Sequence, residues 1–218
     1  MRPATVLFDL DGTLIDHFKA IHRCHAHAMQ QLGLPAPTLA QVRAAVGGGV
    51  EQAVERLVGP ALAPAALAIY RPYWAATMLE DVELLPGAKE LLVLLQSHGI
   101  RTAVYTNKHG PSSRLTCAHL GLTGLLAGNF GATDTPWLKP DVAFTRHVLT
   151  ALGAKAAETL LVGDSPFDVA TARNAELAFI GVPTGTHTTA ELQAAGAERI
   201  CADLFAVARE LGLEMPAF

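Results

Sequence analysis

The chain is poor in cysteine and in aromatic side chains, with three cysteines and 6% aromatics in 218 residues. Cys24, Cys117 and Cys201 are odd in number and far apart. They imply neither a disulfide framework nor a zinc site, and they read as the reduced thiols of a cytoplasmic protein. Basic charge is not in excess. A net charge of -4 argues against nucleic-acid or membrane binding driven by bulk charge. No apolar run approaches a membrane span; the run at 91–95 is short and lies inside a helix-like pattern. The N-terminus goes directly into a strand, with no layout of a secretory leader. What is present is length and apolar content. Half of the residues are hydrophobic, enough for one sizeable domain or a core with a small insert.

The stretch Val6-Leu7-Phe8-Asp9-Leu10-Asp11-Gly12-Thr13-Leu14 organises the rest. Its apolar start reads as a buried strand. Two carboxylates follow, one residue apart, so in extended backbone Asp9 and Asp11 share a face, and Gly12 permits a sharp turn. Two acids at the end of a buried strand repel one another and lose hydration. A bound cation offsets that cost and can hold a phosphate as well.

Asp16 is placed to cap a helix reaching about Gln31, ended by Gly33 and Pro35. That helix carries His17, His22, His25 and His27. His22 and His25 have metal-like spacing, but nothing nearby completes a ligand set, so a solvated or cleft-lining face is expected. Helices are expected at 38–46, 50–58 and 61–79, with Gly47-Gly48-Gly49 as an interruption. Pro64 fits near the start of the third, and Pro72 should kink or split it. No strand pattern falls between 16 and 81. Residues 16–81 are therefore expected to form an all-helical cap domain inserted into a core of 1–15 and 82–218.

Beyond the linker Leu84-Leu85-Pro86-Gly87, helices are expected at 88–98, 111–120, 142–152, 168–174, 191–195 and 204–211. Strands are expected at 101–105, 126–132, 159–162, 178–182 and, shortest, 199–202. Strands alternating with helices point to an α/β fold: a Rossmann-like parallel sheet with helices on both faces. In such sheets ligands bind beyond the carboxyl ends of the strands. Asp9, Asp11, Thr106, Asn107 and Asp164 all fall there. With Asp168 and Lys139 the inventory is four acids, a hydroxyl, an amide and a lysine. Acids outnumber the base, so a divalent cation is implied, and all-oxygen ligation suits Mg²⁺. A hydroxyl, backbone N–H groups and a lysine suit phosphate oxygens. No serine or cysteine nucleophile with a paired histidine stands out, and a carboxylate can itself be the nucleophile.

The segments Asp9-Leu10-Asp11-Gly12-Thr13, Thr106-Asn107-Lys108, Lys139-Pro140 and Gly163-Asp164-Ser165-Pro166-Phe167-Asp168 resemble the four ordered motifs of the haloacid dehalogenase-like (HAD) superfamily. The resemblance runs from residue 6 to about 182, with the helical insert where that family places its cap. It implies that Asp9 attacks phosphorus and becomes an aspartyl phosphate. Asp11 then protonates the leaving oxygen and later takes a proton from the hydrolytic water. It implies Mg²⁺ held by Asp9, the backbone carbonyl of Asp11, and Asp164. It places the transferring phosphoryl group on Thr106, the Asn107 backbone N–H and Lys139, with Asp168 orienting Lys139 or a metal-bound water.

Asp11 narrows the branch, because the dehalogenases of the family lack this second acid. Its sugar mutases carry an acid where this chain has Gly163, and its phosphonate-cleaving members use a cap lysine that Lys19 does not convincingly match. A phosphatase of a small phosphorylated metabolite is the expectation. Val46-Gly47-Gly48-Gly49-Val50-Glu51 and Thr106-Asn107-Lys108 look like phosphoglycolate phosphatases, which makes 2-phosphoglycolate the leading substrate. Gly47, Gly48 and Gly49, before the 50–58 helix, would then meet its carboxylate at a helix N-terminus. A sugar phosphate, nucleotide or pyrophosphate as substrate stays open, as does a catalytically idle binding protein. The sequence sets no oligomeric state.

Overall fold

The computed structural model describes residues 2–214. The chain begins with β1 (Thr5–Phe8) and β2 (Ile15–Asp16). Four helices follow: α1 (Phe18–Gln31), α2 (Leu39–Ala45), α3 (Val50–Val58) and α4 (Ala63–Thr77). Then come β3 (Glu83–Leu84), α5 (Ala88–Ser97), β4 (Arg101–His109), α6 (Gly110–His119) and β5 (Gly128–Ala132). The rest is α7 (Val142–Leu152), β6 (Thr159–Gly163), α8 (Pro166–Asn174), β7 (Ala178–Gly181), α9 (Thr189–Ala194) and α10 (Leu204–Glu210). Met1 and 215–218, the two ends of the expected core, lie outside the described residues.

The sheet is parallel, in the order β5-β4-β1-β6-β7. Leu7 of β1 pairs with Ala103 on one side and Leu161 on the other. A central strand buried on both faces needs apolar residues at every position, and Thr5–Phe8 supplies them apart from one buried hydroxyl. Alternation then divides the core. Val6 and Phe8 pack with Leu91, Leu95 and Val207 of α5 and α10. Leu7 packs with Phe144, Val148 and Ala172 of α7 and α8. This is an α/β Rossmann-like core with helices on both faces. Among the described residues no helix is long and apolar enough to cross a membrane.

Helices α1 to α4 have small apolar clusters of their own, such as Phe18, Ile21 and Val42. The chain enters and leaves them through an antiparallel pair, Ile15 with Leu84 and Asp16 with Glu83. Asp16 accepts from the Phe18 N–H at 3.0 Å, two residues on, at the entry to α1. Thr38 and Gln41 form a full capping box at the start of α2.

Several expectations shift. Pro72 neither splits nor ends α4, which runs unbroken from Ala63 to Thr77. It forfeits one backbone hydrogen bond, while packing such as Tyr70 and Trp74 of α4 against Cys24 and Ala28 of α1 holds the helix together. The expected strand at 199–202 reduces to a single bridge between Gly181 and Ile200. One hydrogen-bonded residue pair is too little to nucleate a ladder at a sheet edge. Strand β4 runs on to His109, with an irregularity in its pairing after Tyr105, so Thr106 and Asn107 lie within it. Helix α8 starts at Pro166 because Ser165 and Asp168 close a capping box.

Phe144 is fully buried and meets the Tyr105 ring edge-on at 4.8 Å, and Tyr105 in turn lies 5.4 Å below the Lys139 ammonium. Phe144→Ala should therefore lower the unfolding free energy by about 3–5 kcal/mol in a urea titration.

Candidate active site

The carboxyl ends of β1, β4 and β6 meet at one edge of the sheet. There Asp9, Asp11, Thr106, Asn107, Lys139 and Asp164 line a cavity of about 250 Å³. Asp168 lies just behind this wall, fully buried. Lys139 is the hub. Its ammonium donates to Asp9 Oδ1 at 2.8 Å and to Asp168 Oδ1 at 2.6 Å. The other Asp168 oxygen accepts from the Ser165 hydroxyl at 2.6 Å and from the Ser165 N–H at 3.1 Å. Asp168 thus caps a helix and anchors the lysine with the same carboxylate. A side chain at Gly163 would come within 2.4 Å of Asp168 Cγ, so glycine there is needed for that close approach.

Asn107 works through its side chain. Its Oδ1 accepts from the Lys139 N–H at 2.8 Å, and its Nδ2 donates to the Lys139 carbonyl at 3.0 Å and to the Gly47 carbonyl at 3.1 Å. It therefore pins the loop that carries Lys139 and reaches the helical insert. Asp164 accepts from Thr13 at 3.2 Å and from the Thr186 N–H at 3.0 Å. Asp9, Asp164 and Asp168 each offer an oxygen within 4.8 Å of the others.

The electrostatics follow from this packing. Burial, only partly offset by Lys139, pushes Asp9 up to about 6. Burial together with the charges of Asp9 and Asp168 pushes Asp164 well above the usual carboxylate range. Burial alone would lower Lys139, but Asp168 and Asp9 hold it above its ordinary value. Three acids against one lysine leave this cluster short of positive charge, which is the condition a divalent cation relieves.

Asp11 behaves differently. Both its oxygens accept from Lys108 at 2.9 Å, and His17 Nδ1 is 3.5 Å from Oδ1. Burial would raise its pKa, but Lys108 and then His17 outweigh it and hold the carboxyl well below the usual range. Lys108 stands in the second motif and His17 among the histidines expected on a solvated or cleft-lining face, but their contact with Asp11 was not foreseen. Lys108 had a signal, because it lies two residues from Thr106 on the same strand and shares its face. His17 had none, since its place depends on how the insert joins the core: its Nε2 donates to the carbonyl of Met78, just after α4.

From the insert, Gly47 and Gly49 line the cavity, while a side chain at Gly48 would run into Gln52 and Phe167. Gly49 caps α3 with a φ of 94°. Trp74 donates to Ser112 Oγ on α6 at 3.1 Å, and its ring lies 4.7 Å from the Lys108 ammonium. His25 lines the cavity, whereas His22 is engaged by the Pro37 carbonyl at 2.8 Å, so the two do not act as a ligand pair. Asp134 is bound by both Arg114 nitrogens, at 2.8 and 3.0 Å, which ties down the loop after β5.

Lys108→Met would leave Asp11 with no strong cationic partner. Because Asp11 faces the cavity, the cost is a discounted buried-pair value, about 1–3 kcal/mol of stability in chemical denaturation. Lys108→Arg should recover most of it.

A model of the haloacid dehalogenase-like hydrolases matches residues 6–182. A phosphoglycolate phosphatase of Rhodospirillum rubrum is 31% identical over 98% of this chain and 93% of its own length. A 5'-nucleotidase of Pseudomonas aeruginosa is 30% identical over 97% of this chain and 96% of its own. Among solved structures, one described as a predicted phosphoglycolate phosphatase from Haemophilus somnus superposes with a TM-score of 0.90 at 23% identity, covering 96% of this chain and 98% of that one. The sequence match spans every motif residue from Asp9 to Asp168, and the chain belongs to the haloacid dehalogenase-like hydrolases.

Proposed function

We propose that this protein is a Mg²⁺-dependent phosphatase of a small phosphorylated metabolite, working through an aspartyl phosphate on Asp9. The observation that carries this reading is the Asp9 carboxylate at the cavity wall, held at 2.8 Å by a lysine that Asp168 anchors from behind. Residues 1–15 and 82–218 act as the catalytic core and 16–81 as a cap over it.

In this reading an Asp9 oxygen forms a bond to phosphorus while the bond to the leaving oxygen breaks. Lys139 and the Thr106 hydroxyl hold the phosphoryl oxygens, and their charge and hydrogen bonds stabilise the transition state. Asp11 moves protons. Paired with Lys108 it is ionised, the form that accepts a proton from the water that hydrolyses the intermediate. To donate to the leaving oxygen it must carry a proton, so Lys108 has to shift away from Asp11 as the ester enters. The donor set of Asp9 and Asp164 is all oxygen, and with the backbone carbonyl of Asp11 it suits Mg²⁺. A bound Mg²⁺ would supply Lewis-acid stabilisation of the phosphoryl group and offset the repulsion between carboxylate and phosphate.

Two chemistries compete for the substrate's far end. A carboxylate, as in 2-phosphoglycolate, is supported by the name of the Rhodospirillum rubrum relative and by Gly47 and Gly49 beside the N-terminus of α3. A neutral end bearing a ring, as in a nucleotide, is supported by the name of the Pseudomonas aeruginosa relative.

Asp9→Asn should keep the fold, by circular dichroism, and lose at least about 10³-fold in turnover of p-nitrophenyl phosphate. Retained turnover would remove the covalent mechanism. EDTA should abolish activity and Mg²⁺ restore it. The metal should also act on stability with a definite pH sign. In the metal-free protein Asp9 is raised from 3.8 to about 6, so its contribution to stability is full below 3.8 and lost as pH rises through about 6. Mg²⁺ relieves that loss, so the rise in Tm on adding it should be larger near about pH 7.5 than near about pH 5. Equal shifts at both values would contradict the assignment of Asp9 as a ligand.

A further inference from the structure

Resting on the phosphatase reading, we propose that the cavity beyond the phosphoryl position selects a monoester whose alcohol carries a neutral aromatic or heteroaromatic ring, and disfavours one that ends in a carboxylate. The charges of the cavity are concentrated at its core end. Asp9, Asp11 and Asp164 stand there, and both lysines of that wall are already engaged by carboxylates. The wall supplied by the insert is of another kind, built from Ile21, Val46, Val50, Ala53, Tyr70 and Trp74. The rings of Tyr70 and Trp74 are parallel to within 13°, with centroids 5.9 Å apart. The indole N–H is spent on Ser112 and part of the ring is covered by the Lys108 ammonium at 4.7 Å, so what Trp74 offers a ligand is the rest of its carbon surface.

The cations at the cavity, Lys108, Lys139 and Arg71, are each paired with a carboxylate of the protein, so a substrate carboxylate on this wall must compete with one of these pairs. His25 lies against Tyr70 at 4.8 Å, and burial pushes it down to about 4, so it is neutral near neutral pH. Arg71 is the cation the insert brings to the wall, and it is paired with Glu51 at 2.6 Å, both side chains more than half exposed. Glu51 also stands in the first turn of α3. Its negative charge therefore already occupies the helix end that would otherwise attract an anionic ligand. Burying an unpaired carboxylate among apolar side chains is costly, whereas burying a ring among them is favourable and adds stacking.

The test compares benzyl phosphate, glycerol 3-phosphate and 2-phosphoglycolate with Mg²⁺, and p-nitrophenyl phosphate as the control for phosphatase activity. All three test esters release a primary alcohol, so intrinsic reactivity does not favour the ring. kcat/KM for benzyl phosphate should exceed that for 2-phosphoglycolate by about 10-fold or more. Tyr70→Ala should lower kcat/KM for benzyl phosphate about 10-fold more than for glycerol 3-phosphate, and Tyr70→Phe, which keeps the ring, should keep the parent's preference for benzyl phosphate. Equal or better turnover of 2-phosphoglycolate overturns the inference and leaves the phosphatase reading intact. Equal losses on all three esters in Tyr70→Ala also overturn it, because they mark general damage to the insert. No turnover of any ester, p-nitrophenyl phosphate included, overturns the phosphatase reading and this inference with it.

Discussion

The ammonium of Lys139 sits between two carboxylates, 2.8 Å from Asp9 and 2.6 Å from Asp168, in a place almost without solvent. Burial alone would disfavour the charge on the lysine, and the two carboxylates outweigh it. Much of the local structure serves this arrangement. Ser165 satisfies the far side of Asp168, Asn107 clamps the backbone of Lys139 on both its N–H and its carbonyl, and Tyr105 lies beneath the ammonium. Burial pushes both Asp9 and Asp164 upward, and both line the cavity beside this network. Desolvated acids with shifted titration gathered in a cleft are typical of functional sites.

The two parts of the molecule contribute opposite chemistry. The core gathers charge at the ends of its strands, where a parallel sheet leaves backbone groups and short loops free to converge. The helical insert adds an apolar, partly aromatic wall. A few polar contacts join them: Asn107 to Gly47, Trp74 to Ser112, and Arg43 to the carbonyl of Gly185 at 3.0 Å. These are individually modest interactions, each far weaker than the buried core beneath β1.

Much of this was legible in the chain because it depends on local rules. A run of four buried residues ending in acids marks the central strand, and the alternation of strand and helix implies a parallel sheet. Helices α3 and α7 match their expected ranges residue for residue, since glycine before Val50 and Asp141 before Val142 are local stop and start signals. Boundaries failed where the deciding contact was distant. Pro72 left one long helix, a kink or a split open, and packing against α1 accompanies the single unbroken α4. The residues 199–202 looked like a strand, yet the edge of the sheet offers them only one bridge.

The site divides in the same way. Residue types and order singled out Asp9, Asp11, Thr106, Asn107, Lys139, Asp164 and Asp168, although Thr106 and Asn107 lie within β4 and Asp168 in the first turn of α8. Partners across the fold were beyond reach of the sequence. The pairing of Lys108 with Asp11 spans 97 positions, and His17 reaches Asp11 only because the insert folds back so that Met78 meets its ring. The character of the cavity's far wall was hidden for the same reason. It is made of side chains from three helices and from Val46 just after α2, and each helix alone presents an ordinary apolar stripe that reads as core. Sequence therefore determined the reacting groups and the sheet that lines them up. Only the tertiary structure decided which charges neutralise each other and what surface a substrate would meet, since both depend on distances between segments that no local pattern encodes.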